Sequence, residues 1–185
     1  KNICKGTGRA SALRLCEGQD GAIYVPGYFA GTATFGPGAN EVELSATAGT
    51  IDAFLAKYTP DGDLVWVKQW GTGDTVAYSV CMQPDGGVVV SGHFQDQAQF
   101  GVGGGNETVL TSSGNADVFL ARFQPDGTFG WATRAGSDER DLASCVVCAP
   151  DGTVEDSRRV CAAEQLGRLA PAGVPGADPR QWHGV

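Results

Sequence analysis

Histidine is nearly absent, with only His93 and His183, and Met82 is the one methionine. With no Gly-x-Ser-x-Gly elbow either, a nucleophile–histidine site has no support. Basic residues are scarce, 13 against 21 acidic, which leaves a net charge of −8. That balance disfavours a nucleic-acid backbone or an anionic membrane as partner, since both attract basic surfaces. No apolar run approaches the roughly 20 residues that span a bilayer, so membrane insertion is not expected. Lys1 stands where a Met would open a new chain. We read this as a removed leader or an internal segment.

Glycine is abundant, at 28 residues, while the 42% hydrophobic fraction is ordinary for a folded protein. Five of these glycines form a ladder of Asp-Gly pairs: Asp20-Gly21, Asp61-Gly62, Asp85-Gly86, Asp126-Gly127 and Asp151-Gly152. Gly21 to Gly86 and Gly62 to Gly127 are both 65 residues apart. Such a period signals a repeat architecture. Other positions keep the same offset: Cys16 with Cys81, Gly27 with Gly92, Phe35 with Phe100, Trp66 with Trp131. Asp52–Tyr58 (DAFLAKY) likewise lies over Asp117–Phe123 (DVFLARF).

Each unit offers four strands, in the second unit roughly 75–82, 86–94, 116–123 and 128–134, rich in Val, Phe, Trp and Tyr. Asp-Gly joins strands one and two, and again three and four. The reading is a type I′ hairpin turn with positive φ at both central residues. Pro60, Pro84, Pro125 and Pro150 fit turn flanks. Strands two and three are joined by long loops, about 30–50 and 95–115, which Phe35 and Phe100 pin to the core.

The stretches DGAIYVPGY, DAFLAKYTPDGDLVW and WGTGDTVAYSV resemble the bacterial seven-bladed β-propeller repeat family, often called SBBP repeats. The resemblance covers about Gly6 to Val154. It implies a secreted or envelope-associated bacterial protein whose propeller is a scaffold or interaction surface. The expected fold is therefore all-β, a partial β-propeller of four-stranded antiparallel blades, about two and a half repeats long. The propeller region is 1–154, with blades at 6–70, 71–135 and a partial 136–154. A non-propeller tail follows at 155–185. Within it a short helix is expected over 157–170, capped by Asp156 or Ser157, and disorder beyond Pro171. Four to seven blades need roughly 260 to 455 residues, so ring closure needs other blades of a longer chain or a homo-oligomer.

The functional expectation is a non-enzymatic scaffold with a protein or glycan ligand. Two alternatives stay open: part of a propeller hydrolase or lyase whose active site lies in other blades, and a truncated product without independent function. No catalytic, cofactor-binding or metal residue is assigned. His93 takes the repeat position of Tyr28, where a flat ring packs near a strand end. Cys145 and Cys148 form a CxxC, but residues three apart on a strand face opposite ways, which suits neither a mutual disulfide nor one metal. Cys16 and Cys81 are read as small apolar packers, with a disulfide involving Cys4 or Cys161 as the alternative. Asp138-Glu139-Arg140-Asp141 reads as a solvated loop rather than an acid pair. Asp61-Gly62-Asp63 lacks the remaining spacing of a calcium loop, and Asp52 and Asp117 read as turn caps. Gly101–Gly105 precedes no helix and cradles no phosphate. Asn106-Glu107-Thr108 fits a glycosylation sequon that carries no meaning in a bacterial chain.

Overall fold

A computed structural model describes residues 4–6, 8–36, 38, 40–159 and 166–169. Among the described residues every regular element is a strand. The first stretch holds β1 (Cys4–Gly6), β2 (Ala10–Ala12), β3 (Cys16–Glu17), β4 (Ile23–Phe29), β5 (Thr32–Phe35), β6 (Val42–Ser45), β7 (Asp52–Tyr58) and β8 (Leu64–Trp70). The second holds β9 (Thr75–Met82), β10 (Val88–Phe94), β11 (Gln97–Phe100), β12 (Thr108–Thr111), β13 (Asp117–Phe123) and β14 (Phe129–Ala135). The last holds β15 (Leu142–Cys148), β16 (Val154–Arg159) and β17 (Leu166–Leu169).

These strands form three main antiparallel sheets, none closed into a barrel. Sheet I runs β2-β4-β7-β8, with β3 also paired to β4. Sheet II runs β9-β10-β13-β14, and sheet III runs β15-β16-β17. The expected loops are partly regular. β5 pairs with both β1 and β6, and β11 pairs with β12. Phe35 and Phe100 on these side hairpins are fully buried, as the pinned-loop reading requires.

The Asp-Gly hairpins differ from the expected type I′ turn. Gly21, Gly62, Gly86, Gly127 and Gly152 have φ between 73° and 84°, and Asp96 is the one non-glycine with positive φ among the described residues. The loop is thus three residues long. Gly86 N–H donates to the Gln83 carbonyl at 3.0 Å, and Gln83 N–H to Gly87 at 2.8 Å. Pro84 supplies the reason: its ring holds φ near −65°, which fits the first corner of a type I turn and excludes a primed one. The aspartate bonds the chain two residues on, as in Gly87 N–H to Asp85 Oδ1 at 3.0 Å and Thr153 N–H to Asp151 Oδ1 at 2.8 Å.

Register repeats from sheet to sheet. Glu17 pairs Ile23, Met82 pairs Val88, and Cys148 pairs Val154. Bulges repeat as well: β8 skips Val65 and β14 skips Gly130 at matching positions, while β9 skips Tyr78 and β15 skips Ser144. Such insertions bend a strand and increase its twist. Gly27 and Gly92 have a packing reason for lacking a side chain. A Cβ there would lie 2.6 Å from the Phe54 or Phe119 ring.

Sheets I and II bury a large apolar cluster that includes Tyr24, Leu55, Trp70, Val88, Val90, Phe94 and Phe119. The β11–β12 hairpin adds Ala98, Phe100 and Leu110 to it. Sheet III packs on sheet II through Val89, Leu120, Val146 and Val154. Burial on this scale stabilises by roughly 1.5–3 kcal/mol for each large apolar side chain removed from water.

The helix expected over 157–170 is not formed where the chain is described. Ser157, Arg158 and Arg159 end β16, and Leu166–Leu169 is β17. The Asp151-Gly152 hairpin explains this: Ala149 N–H donates to the Thr153 carbonyl at 2.8 Å, which launches the chain antiparallel to β15. Propensity over a short segment is weak against an existing ladder. β16 runs straight through the boundary placed at 154. Residues 160–165 and the stretch beyond Pro171, expected to be disordered, lie outside the described residues.

Candidate functional site

The outer strand of sheet I and the edge of sheet II enclose a cleft of about 330 Å³. β8 contributes Lys68, Gln69 and Trp70, the turn between β11 and β12 contributes Gly101–Gly104 and Asn106, and the start of β14 contributes Thr128 and Phe129. Trp70, Phe100, Phe123 and Phe129 form an aromatic floor. Trp70 lies 5.7 Å from Phe100 and 5.3 Å from Phe123 between ring centres. Its indole Nε1 is buried without a partner. The glycine turn is held in place by its own polar groups. Gly103 N–H donates to Glu107 Oε1 at 2.7 Å, and Asn106 Nδ2 donates to the Phe129 carbonyl at 2.8 Å. An apolar floor with a few fixed amides and one cation on its rim is the usual make-up of a binding cleft.

Sequence reasoning missed this cleft because Trp70 has no aromatic at its repeat position, which is Ala135. The glycine run 101–105 is one wall of it, a role unrelated to phosphate. Asn106 spends its amide N–H groups on the Phe129 and Gly130 carbonyls of β14.

The remaining candidates are structural in their contacts. His93 ends β10, stacks on Tyr78 at 5.3 Å, and is 7% exposed with Nδ1 unpartnered. Burial, and then the Arg140 charge, push its pKa down to about 4 against the opposing pull of Asp74. Asp138, Glu139 and Arg140 are exposed as expected, but Asp141 is fully buried and accepts from Ser137 N–H and Oγ. Asp52 accepts from Gln69 Nε2 at 2.6 Å and from Thr47 N–H at 3.3 Å. Burial raises its pKa, with the Gln69 hydrogen bond opposing. Asp117 accepts from Ser113 N–H and pairs with Arg134 at the matching place in sheet II. Asp61-Gly62 is a turn, with Gly62 N–H donating to the Thr59 carbonyl. No group of three or more His, Cys, Asp or Glu side chains fit to hold a metal occurs among the described residues.

Two further ion pairs recur one repeat apart. Lys57 meets Asp20 at 3.0 Å, and Arg122 meets Asp85. The Lys57 hydrogen bond holds Asp20 below its ordinary pKa. Lys57 Nζ and Trp66 Nε1 also reach the Pro125 carbonyl, at 3.5 and 3.2 Å, which ties sheet I to the β13–β14 turn of sheet II.

The cysteines depart from the packing reading. Cys81 of β9 and Cys148 of β15 form a disulfide, with Cα atoms 5.6 Å apart, and Cys16 and Cys145 are free. Cys145 and Cys148 are not joined to each other, in keeping with opposite faces of one strand. The partner of Cys81 was hidden because it sits one position past the repeat of Cys81. Burial raises the Cys16 thiol to about 11, which disfavours its thiolate. Cys161 and the Cys4 side chain lie outside the described residues.

Fold and site together define an all-β chain of stacked antiparallel sheets with a loop-walled cleft and no assembled catalytic set among the described residues. No protein-family model matches the chain. One curated relative, the regulatory protein FlaEY of Caulobacter vibrioides, is 26% identical over 146 residues, or 78% of this chain. The chain spans 15% of the length of that protein.

Proposed function

We propose that the chain is a run of β-propeller-type blades serving as a non-enzymatic interaction scaffold of a secreted or cell-surface bacterial protein. The observation that carries this reading is the repeated register between successive sheets. Cys16 of sheet I and Met82 of sheet II pack on one cluster, and the equivalent positions 81 and 148 are covalently joined. A stack built by one rule has no internal stop. Leu15 is accordingly 66% exposed, while Val80, its counterpart one repeat on, is 6% exposed beneath sheet I. Further blades, from a longer chain or another copy, would cover Leu15. The inter-sheet disulfide fits an oxidising compartment, and the regulatory name of the FlaEY relative fits a role in binding rather than turnover.

The ligand would sit in the Trp70 cleft, as a peptide or glycan that stacks on the aromatic floor and bonds Lys68. Peptide and glycan arrays probed with the chain, followed by amide chemical shifts, test this. Binding that shifts Lys68 and Thr128 and disappears in Trp70→Phe with Lys68→Ala supports it. A silent array, or hydrolysis of an arrayed glycan, overturns it.

A further inference from the structure

We propose that the Cys81–Cys148 disulfide is a thiol-reversible clasp that keeps sheet III docked on sheet II. The two sheet interfaces differ in filling. Among the described residues, the cluster between sheets I and II holds seventeen buried apolar residues, three of them on the β11–β12 hairpin, and the cluster between sheets II and III holds four. The second interface is also polar. Ser79, Ser91 and His93 are buried on sheet II, and both Ser91 Oγ and His93 Nδ1 lack partners. Unsatisfied buried groups cost stability there. Ser79 Oγ does accept from Val146 N–H at 3.3 Å, and Gln83 Nε2 donates to the Gly152 carbonyl at 3.2 Å. The disulfide adds a covalent link to these polar and apolar contacts.

The disulfide spans 67 residues and joins the turn-proximal ends of β9 and β15. Closing so long a loop in the unfolded chain is where a cross-link contributes most. Both cysteines are only half-buried, so an external thiol reaches them. A dithiol reductant attacks one sulfur as the thiolate and forms a mixed disulfide. Its second thiol then displaces the protein sulfur. The dithiol leaves as a disulfide, and Cys81 and Cys148 together gain two electrons and two protons. Reduction would then bare Val89 and Leu120, the apolar part of sheet II that sheet III covers. This inference stands on the contacts of sheets II and III alone and does not need the proposed binding role.

Hydrogen exchange on the whole chain, oxidised and then reduced by dithiothreitol, provides the test. Reduction should lower protection of the 142–159 backbone on the order of a hundredfold, with β7 and β13 unchanged. Oxidised Cys81→Ser should match the reduced wild type, and Cys145→Ser should match the oxidised one. Unchanged protection of 142–159 overturns the proposal, as does an equal loss in β7. Peptide mapping of the oxidised chain that joins Cys81 to any cysteine but Cys148 also overturns it. If Cys81→Ser does not fold, the reduced wild type still decides.

Discussion

The interface between sheets I and II and that between sheets II and III share a register and little else. Cys16 and Met82 pack on the cluster between the first two sheets, and Cys81 and Cys148 are bonded between the next two, in each case with the second member one position past the repeat of the first. The first is filled with aromatic rings and deepened by the β11–β12 hairpin. The second carries buried Ser79, Ser91 and His93 and is joined by a covalent bond. The difference teaches that turns and strand positions set how sheets stack, while cohesion is free to change chemistry from one interface to the next.

The comparison breaks most visibly at Trp70. Trp70→Ala should cost about 3–5 kcal/mol in urea unfolding, because it opens a cavity among Phe100, Phe119 and Phe123. A loss below about 1 kcal/mol would mean that aromatic packing does not carry this interface. Next comes Cys81→Ser, expected to cost about 2–4 kcal/mol without reductant. Its effect should vanish when both proteins are measured reduced.

Acid should act on the second interface. His93 is held neutral in the folded chain with a pKa of about 4, below its ordinary 6.5. Between those values the unfolded chain binds the extra proton, so stability is complete above about pH 6.5 and declines as pH falls toward 4. The loss should reach up to about 3 kcal/mol and disappear in His93→Tyr, the residue type at Tyr28 in sheet I. A pH profile identical in His93→Tyr would refute this assignment. The smallest effect belongs to the repeated ion pairs. Lys57→Ala and Arg122→Ala should each cost less than about 1 kcal/mol, since Asp20 and Asp85 are solvated, and added salt should shrink both.

Much of the stacking was readable from residues. The Asp-Gly ladder marks hairpins at every rung, and the strands read at 75–82 and 116–123 are found at Thr75–Met82 and Asp117–Phe123. Turn type was not readable from the dipeptide: a proline one residue earlier favours the three-residue form in four hairpins, and Gln19-Asp20-Gly21 adopts it without one. Bulges at Val65, Tyr78, Gly130 and Ser144 carry no composition signal, since any residue tolerates the extra place. Strand β16 was lost to a weak helical pattern that ignores the ladder offered by β15. The cleft and the disulfide were illegible for one shared reason. Each joins residues from two units, Trp70 with Phe129 and Cys81 with Cys148, and a repeat alignment lays units over one another rather than side by side.

Shared register is the central claim, and Met82→Cys tests it most directly. Cys16 and Met82 pack on the same cluster, and a Cβ placed on Gly18 would lie 3.3 Å from the Met82 methyl. Under mild oxidation the variant should form a second disulfide between Cys16 and position 82, alongside Cys81–Cys148, as read by peptide mapping. A position 82 thiol that stays free, or that joins any other cysteine, would contradict a common stacking rule for the two interfaces.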